Sequence, residues 1–170
     1  MPTVNTNTSI TDITNAIDLG PSGSLQFAFA KLQLAMSMIC KEGALDYIEQ
    51  IQNSQEEQKK VSEMLQYARQ QQADAKKNGN ATPMSPEMIA YMDKNNLAYD
   101  KAGNDHTHKK DQWDVAIQSL QAQLDKIGSN TQQLMVFVQD YMGQYNSYLQ
   151  GSNSVIQQAN QTLGELARVR

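Results

Sequence analysis

Read from Trp113 in steps of three and four, the sequence returns Trp113, Ile117, Leu120, Leu124, Ile127, Thr131, Leu134, Val138, Tyr141, Tyr145, Tyr148, Ser152, Val155, Ala159, Thr162, Leu166 and Val169. Only Thr131, Ser152 and Thr162 among these positions are polar, and all three are small. A strand shows alternate residues on one face and would scatter this row. A helix keeps it together, because residues three and four apart share a face. Sustained over about eight heptads, the row predicts a helix over 113–170 whose seam is closed by another helix. Beside it runs a second row, Met135, Met142, Leu149, Ile156 and Leu163, repeating every seven residues. The two rows together are wider than a two-stranded coil covers, so from about Leu134 onward the helix calls for more than one neighbour. Gly143, Gly151 and Gly164 each weaken it by about 1 kcal/mol relative to Ala. They fit either close approach by other helices or local flexibility.

The other strongly apolar stretch, Leu25 to Cys40, is interrupted only by Gln26, Lys31, Gln33 and Ser37. It is short for a membrane span, which needs about 20 apolar residues, and it holds Lys31 and ends at Lys41-Glu42. It reads as a helix covered on all faces by other protein. Composition agrees with a helical class. Aromatic residues make up 6% of the chain, only four residues are proline, and Ala, Gln, Leu, Met, Ser and Asn dominate, a mixture better suited to helices than to a sandwich or barrel. Ser24, after the Gly20-Pro21-Ser22-Gly23 breaker, is placed to cap this helix. Past Cys40 the apolar pattern narrows to Leu45, Ile48, Ile51, Val61, Leu65 and Ala68, with a polar, solvated interval at 52–60. The expected helix spans 25–77.

Asn78 to Pro86 contains Gly79, Pro83 and Pro86 and must end that helix. Ser85 as cap and Pro86 at the first helical position begin a short helix over 86–95 that buries Met88, Ile89 and Met92. Ala98 to Lys110 is polar and carries Gly103, which predicts an exposed connector. The organisation expected is a flexible leader over 1–24 and one helical domain over 25–170. That domain divides into a long helix at 25–77, a connector at 78–112 and a second long helix at 113–170. The surfaces too apolar for a lone subunit to leave uncovered are assigned to self-assembly. They are carried by Leu25, Phe29, Leu32, Met36 and Ile39 at one end, and by Leu134, Val138, Tyr141, Met142, Tyr145, Tyr148, Leu149, Val155, Ile156, Leu163 and Leu166 at the other.

A formal charge of −4 offers no basic face to nucleic acid and disfavours a membrane surface. Cys40 is the sole cysteine, which excludes an internal disulfide and any cysteine-based zinc site. It is expected as a small buried hydrophobe. His106 and His108 lie two apart in the polar connector, near Asp105 and Asp111 but at no recognisable ligand spacing, and read as solvated loop residues. Glu56, Glu57 and Glu63, with Lys59 and Lys60, read as a solvated charged face. Phosphate loops, nucleophile elbows and metalloprotease motifs do not occur. No catalytic residue, metal site or cofactor is expected, and the chain is not expected to be an enzyme. Residues 1–24 have no basic start and no continuous apolar block, so they are not read as a Sec signal peptide.

The order of these parts resembles the EspA/SseB-like filament proteins of type III secretion systems. The likeness covers about Leu25 to Arg170 and is most specific in the short helix, where Pro86, Ile89, Tyr91 and Met92 fall at the family's spacing. The resemblance implies an all-α fold whose two long helices form an antiparallel coiled-coil hairpin, with the short helix and polar loop between them. It implies a secreted structural subunit that polymerises into an extracellular filament, a conduit for translocator and effector proteins toward a host cell. The implied partners are further copies of the chain, a dedicated cytoplasmic chaperone that masks the coiled coil before export, the needle or its tip, and pore-forming translocators. Stable membrane insertion is not expected. A Ser/Thr/Asn-rich leader suits such a secretion substrate. The chain is shorter than the family pattern at 98–110, so no family role is carried onto that loop. The alternative readings are a cap at the needle tip, or another hydrophilic translocator component, and a cytosolic helical adaptor or chaperone, for which the leader would have no purpose.

Overall fold

The computed structural model describes residues 25–101 and 106–168 together with Asn15 and Ile17. Along the chain these form α1 (Leu25–Asn78), β1 (Thr82–Pro83), α2 (Pro86–Lys94), β2 (Thr107–His108) and α3 (Lys110–Arg168). The protein is mostly helical, and its two long helices pack against each other. The flexible leader expected at 1–24 apart from Asn15 and Ile17, the Ser24 cap, Gly103, Asp105 and Val169 lie outside the described residues. The chain divides into two units, one built from 1–50 and 134–170, the other from 51–133.

α1 contains no proline and one internal glycine, Gly43, so nothing interrupts it before Asn78-Gly79. Gly79 takes φ 66°, the left-handed conformation that ends helices. Lys76 and Lys77 stand in the last turn, beside the negative end of the helix dipole. At the start of α2 the Ser85 Oγ accepts a bond from the Met88 N–H at 3.2 Å, with Pro86 at the first helical position. Its end is a Schellman turn. Asn96 adopts φ 54°, the Leu97 N–H donates to the Met92 carbonyl at 2.8 Å, and the Asn96 N–H to that of Asp93 at 3.2 Å. α3 begins three residues before the expected Trp113, because the Gln112 side chain folds back to accept from the Lys109 N–H at 2.7 Å. This is the glutamine half of a capping box, and lysine at the cap position gave no sequence signal for it.

The core of the 51–133 unit gathers Trp113, Met88, Met92, Leu120 and Val61, each no more than 1% exposed, with Met64, Leu65, Met84 and Ile127 around them. Between the helices Thr82 pairs with His108 and Pro83 with Thr107 in a short antiparallel ladder. One expectation is corrected here: the connector is not a solvated loop throughout. Tyr99 and His108 are buried, and the His108 ring meets Trp113 edge-on at 5.3 Å and Tyr99 at 6.3 Å; His106 is exposed. The charged face of α1 is likewise engaged in part. Glu57 accepts from the Tyr91 hydroxyl at 2.8 Å, and Lys60 meets Glu87 at 3.0 Å, so both help to seat α2.

Thr82 ties the connector to both long helices. Its hydroxyl accepts from the Trp113 indole at 2.9 Å and donates to the Gln71 carbonyl at 3.0 Å. Replacing Thr82 with valine keeps the shape but leaves the buried indole N–H without an acceptor. The expected loss is about 1–3 kcal/mol of stability, read from the denaturant midpoint of far-UV circular dichroism; an unchanged midpoint would show that the hydroxyl is dispensable.

Candidate assembly surface

Among the described residues of the unit formed by 1–50 and 134–170, small side chains are the most completely buried, while many large apolar ones are exposed and others, Val138, Tyr148 and Ile156 among them, are half-buried. Its buried residues are mostly small: Ala30, Ala35, Ser37, Cys40, Ala44, Ser152 and Ala159, joined by Ile17 and Leu134. Many large apolar side chains stand outside. Leu25, Phe29, Leu32, Met38, Leu45, Ile48, Met135, Val136, Phe137, Met142, Leu163 and Leu166 are all exposed, and among the described residues the other unit adds only Val115.

The small residues make a seam. Ala30, Gln33, Ser37, Cys40, Ala44 and Tyr47 repeat at three and four along α1, and none is exposed. The Ser152 hydroxyl donates to the Ala30 carbonyl at 3.2 Å, and the Cys40 thiol points to the Gln144 amide oxygen at 3.8 Å. Tyr47 stacks on Phe137 at 5.3 Å between centroids and meets Tyr141 at 5.7 Å. As numbers rise along α1, those of the partners on α3 fall. Close approach requires glycine at Gly43, where an added Cβ would lie 2.6 Å from Cε1 of Tyr141, and at Gly151 an added side chain would have to displace the flexible Gln33 amide. Gly143 and Gly164, which were open to the same role, have no such neighbour within 4 Å.

The residues assigned to assembly from the sequence fall into three groups. Leu134 is buried in the seam; Met36, Ile39, Val138, Tyr141, Tyr145, Tyr148, Leu149, Val155 and Ile156 are half-buried; Leu25, Phe29, Leu32, Met142, Leu163 and Leu166 are exposed. The exposed members Phe29 and Leu32, with Met36 and Ile39, precede the seam residues Ala30, Gln33, Ser37 and Cys40 by one position each. They therefore form a second row alongside the closed one. The sequence reading missed Gly43, Ala30, Tyr47 and Ile17, and the exposed Val136 and Phe137. A seam of Ala, Ser, Gln and Cys carries no apolar periodicity, and its only signal is the spacing of small residues.

Burial pushes the Cys40 thiol up, and the Asp140 carboxylate adds to the rise, so Cys40 stays protonated and is a weak nucleophile. In the 51–133 unit an open cleft of about 560 Å³ is lined by Ser54, Glu57, Gln123, Lys126, Ile127, Ser129, Asn130 and Gln133. Its Glu57 is held by Tyr91, whose hydroxyl is pushed up to about 12 by burial and by that hydrogen bond. Among the described residues no three His, Cys, Asp or Glu side chains gather as a metal site, and no helix is long and apolar enough to cross a membrane. Compared with family models, with curated proteins and with solved structures, the chain matches none.

Proposed function

We propose that the chain is a secreted structural subunit that polymerises through helix packing into the extracellular filament of a type III secretion system. The carrying observation is the number of large apolar side chains left exposed on the 1–50 and 134–170 unit, Leu25, Phe29, Leu32, Phe137, Leu163 and Leu166 among them. The Ala and Ser side of the seam removes little apolar area from water, at about 25 cal/mol per Å². The exposed Phe, Leu, Ile and Met side chains form the kind of apolar patch that marks an interaction site. Further copies of the chain can cover it, and a heterologous contact whose rotation does not close grows into a filament.

In this reading the two long helices form an antiparallel coiled-coil hairpin. The falling partner numbers in one unit, Ala30 with Ser152 and Tyr47 with Tyr141, support it. So do Arg69 with Gln121 and Gln72 with Asp114 in the other. A cytoplasmic chaperone covers the same apolar rows before export, and the needle, its tip and the pore-forming translocators are met at the filament ends. The test is expression in a bacterium carrying the secretion apparatus. The expected result is subunit outside the cell, as filaments in electron micrographs, with export lost when residues 1–20 are deleted. A single particle at the needle end would support the tip reading instead, and residence in the cytosol regardless of the leader would support the adaptor.

A further inference from the structure

One residue ahead of α1, Ile17, has a seat on that helix. Ile17 is 8% exposed and forms a buried cluster with Ala35, which is 0% exposed; Leu34 and Ile39 pack against the pair. Ala35 does not face α3. Each residue turns about 100° around a helix axis, which puts Ala35 roughly 160° from Gln33 and 140° from Cys40. Those are the residues that meet Gly151 and Gln144. Ala35 is therefore on the far side of α1 from the seam, and Ile17 is what covers it there. Two residues before Ile17, Asn15 is helical and exposed.

We infer that Ile17 is an intramolecular cover: it occupies the Leu34, Ala35 and Ile39 face of α1, and its withdrawal adds that face to the surface a second copy takes. The occupant is this chain's own Ile17, which sits against that face. Removing it exposes an apolar strip beside the already uncovered Phe29 and Leu32, so a released subunit has more area to bury on association. The seating stands on the cluster alone, whereas the effect on association rests on the assembly reading.

The full chain carrying Ile17→Asp tests both halves, with Asn15→Asp as the control for charge in the leader. Ile17→Ala, which adds no charge, should act in the same direction and less strongly. The first readout is the rate at which thermolysin cuts the leader in dilute, unassembled protein. The expectation is cleavage about tenfold faster or more for Ile17→Asp, with Asn15→Asp at the wild-type rate, because burial of one isoleucine is lost. Equal rates for Ile17→Asp and wild type would overturn the seating. The second readout is the lowest concentration at which the protein pellets as an assembly, expected to fall several-fold for Ile17→Asp. A threshold unchanged or raised would overturn the covering role. If the wild type itself never pellets, the assembly reading fails and takes the covering role with it, while the cleavage rates still decide the seating.

Discussion

Replacing Trp113 with alanine should cost about 3–5 kcal/mol, the range for truncating a large buried aromatic side chain, and leave the 51–133 unit unfolded or close to it. The indole is wholly buried and meets Tyr67 at 6.4 Å and His108 at 5.3 Å edge-on. Its N–H is bonded to Thr82. One side chain therefore joins α3 to α1, to the β1–β2 ladder and to the connector. Domains have only about 5–15 kcal/mol of stability to lose. Val115→Ala, two positions away on the same helix but 44% exposed, should move the denaturant midpoint by less than about 0.5 kcal/mol. Similar midpoints for the two variants would contradict the assignment of the core.

The second large effect is on association and not on folding. Phe29→Asp combined with Leu163→Asp should raise the concentration needed for assembly by about a hundredfold or more. Each carboxylate would enter a desolvated contact without a partner, a loss of several kcal/mol, and every 1.4 kcal/mol is tenfold in affinity. Helix content should stay at the wild-type level, because the two side chains are 47% and 54% exposed in the subunit and have little to lose in it. Aspartate at Leu149 or Ile156 is a poorer test. Both are half-buried within the unit, so a loss of filaments there would mix folding with assembly. Light scattering against concentration, paired with circular dichroism, separates the two effects.

The parts of this fold that were legible in the sequence are those where large apolar residues mark the contact. The α3 row from Trp113 to Ala159 is the clearest: every one of its positions is buried or half-buried. The Ser85-Pro86 start of α2 was equally plain, since cap and proline act locally. α1 was harder. Its visible stripe included Leu45 and Ile48, which the structure leaves exposed, while the true seam runs through Ala30, Ser37, Cys40 and Ala44, next to those larger residues. A helix that approaches closely needs small side chains, and hydrophobic periodicity cannot register them. The buried Tyr99 and His108 were hidden for a different reason. Packing of His108 against Trp113, and of Tyr99 against His108, overrides the polar composition of the segment around them. The candidate surface itself was half legible: the apolar residues were named correctly as apolar, but which of them turn outward depended on that unseen seam.

Sedimentation velocity of the purified wild-type chain over a hundredfold range of concentration tests the central claim most directly. Large, fast-sedimenting species that appear above a threshold and vanish on dilution are the predicted result, drawn together by the exposed Phe29, Leu32, Leu163 and Leu166. A single species of one subunit's mass at every concentration would contradict it, for it would mean that those side chains remain in water without driving copies of the chain together.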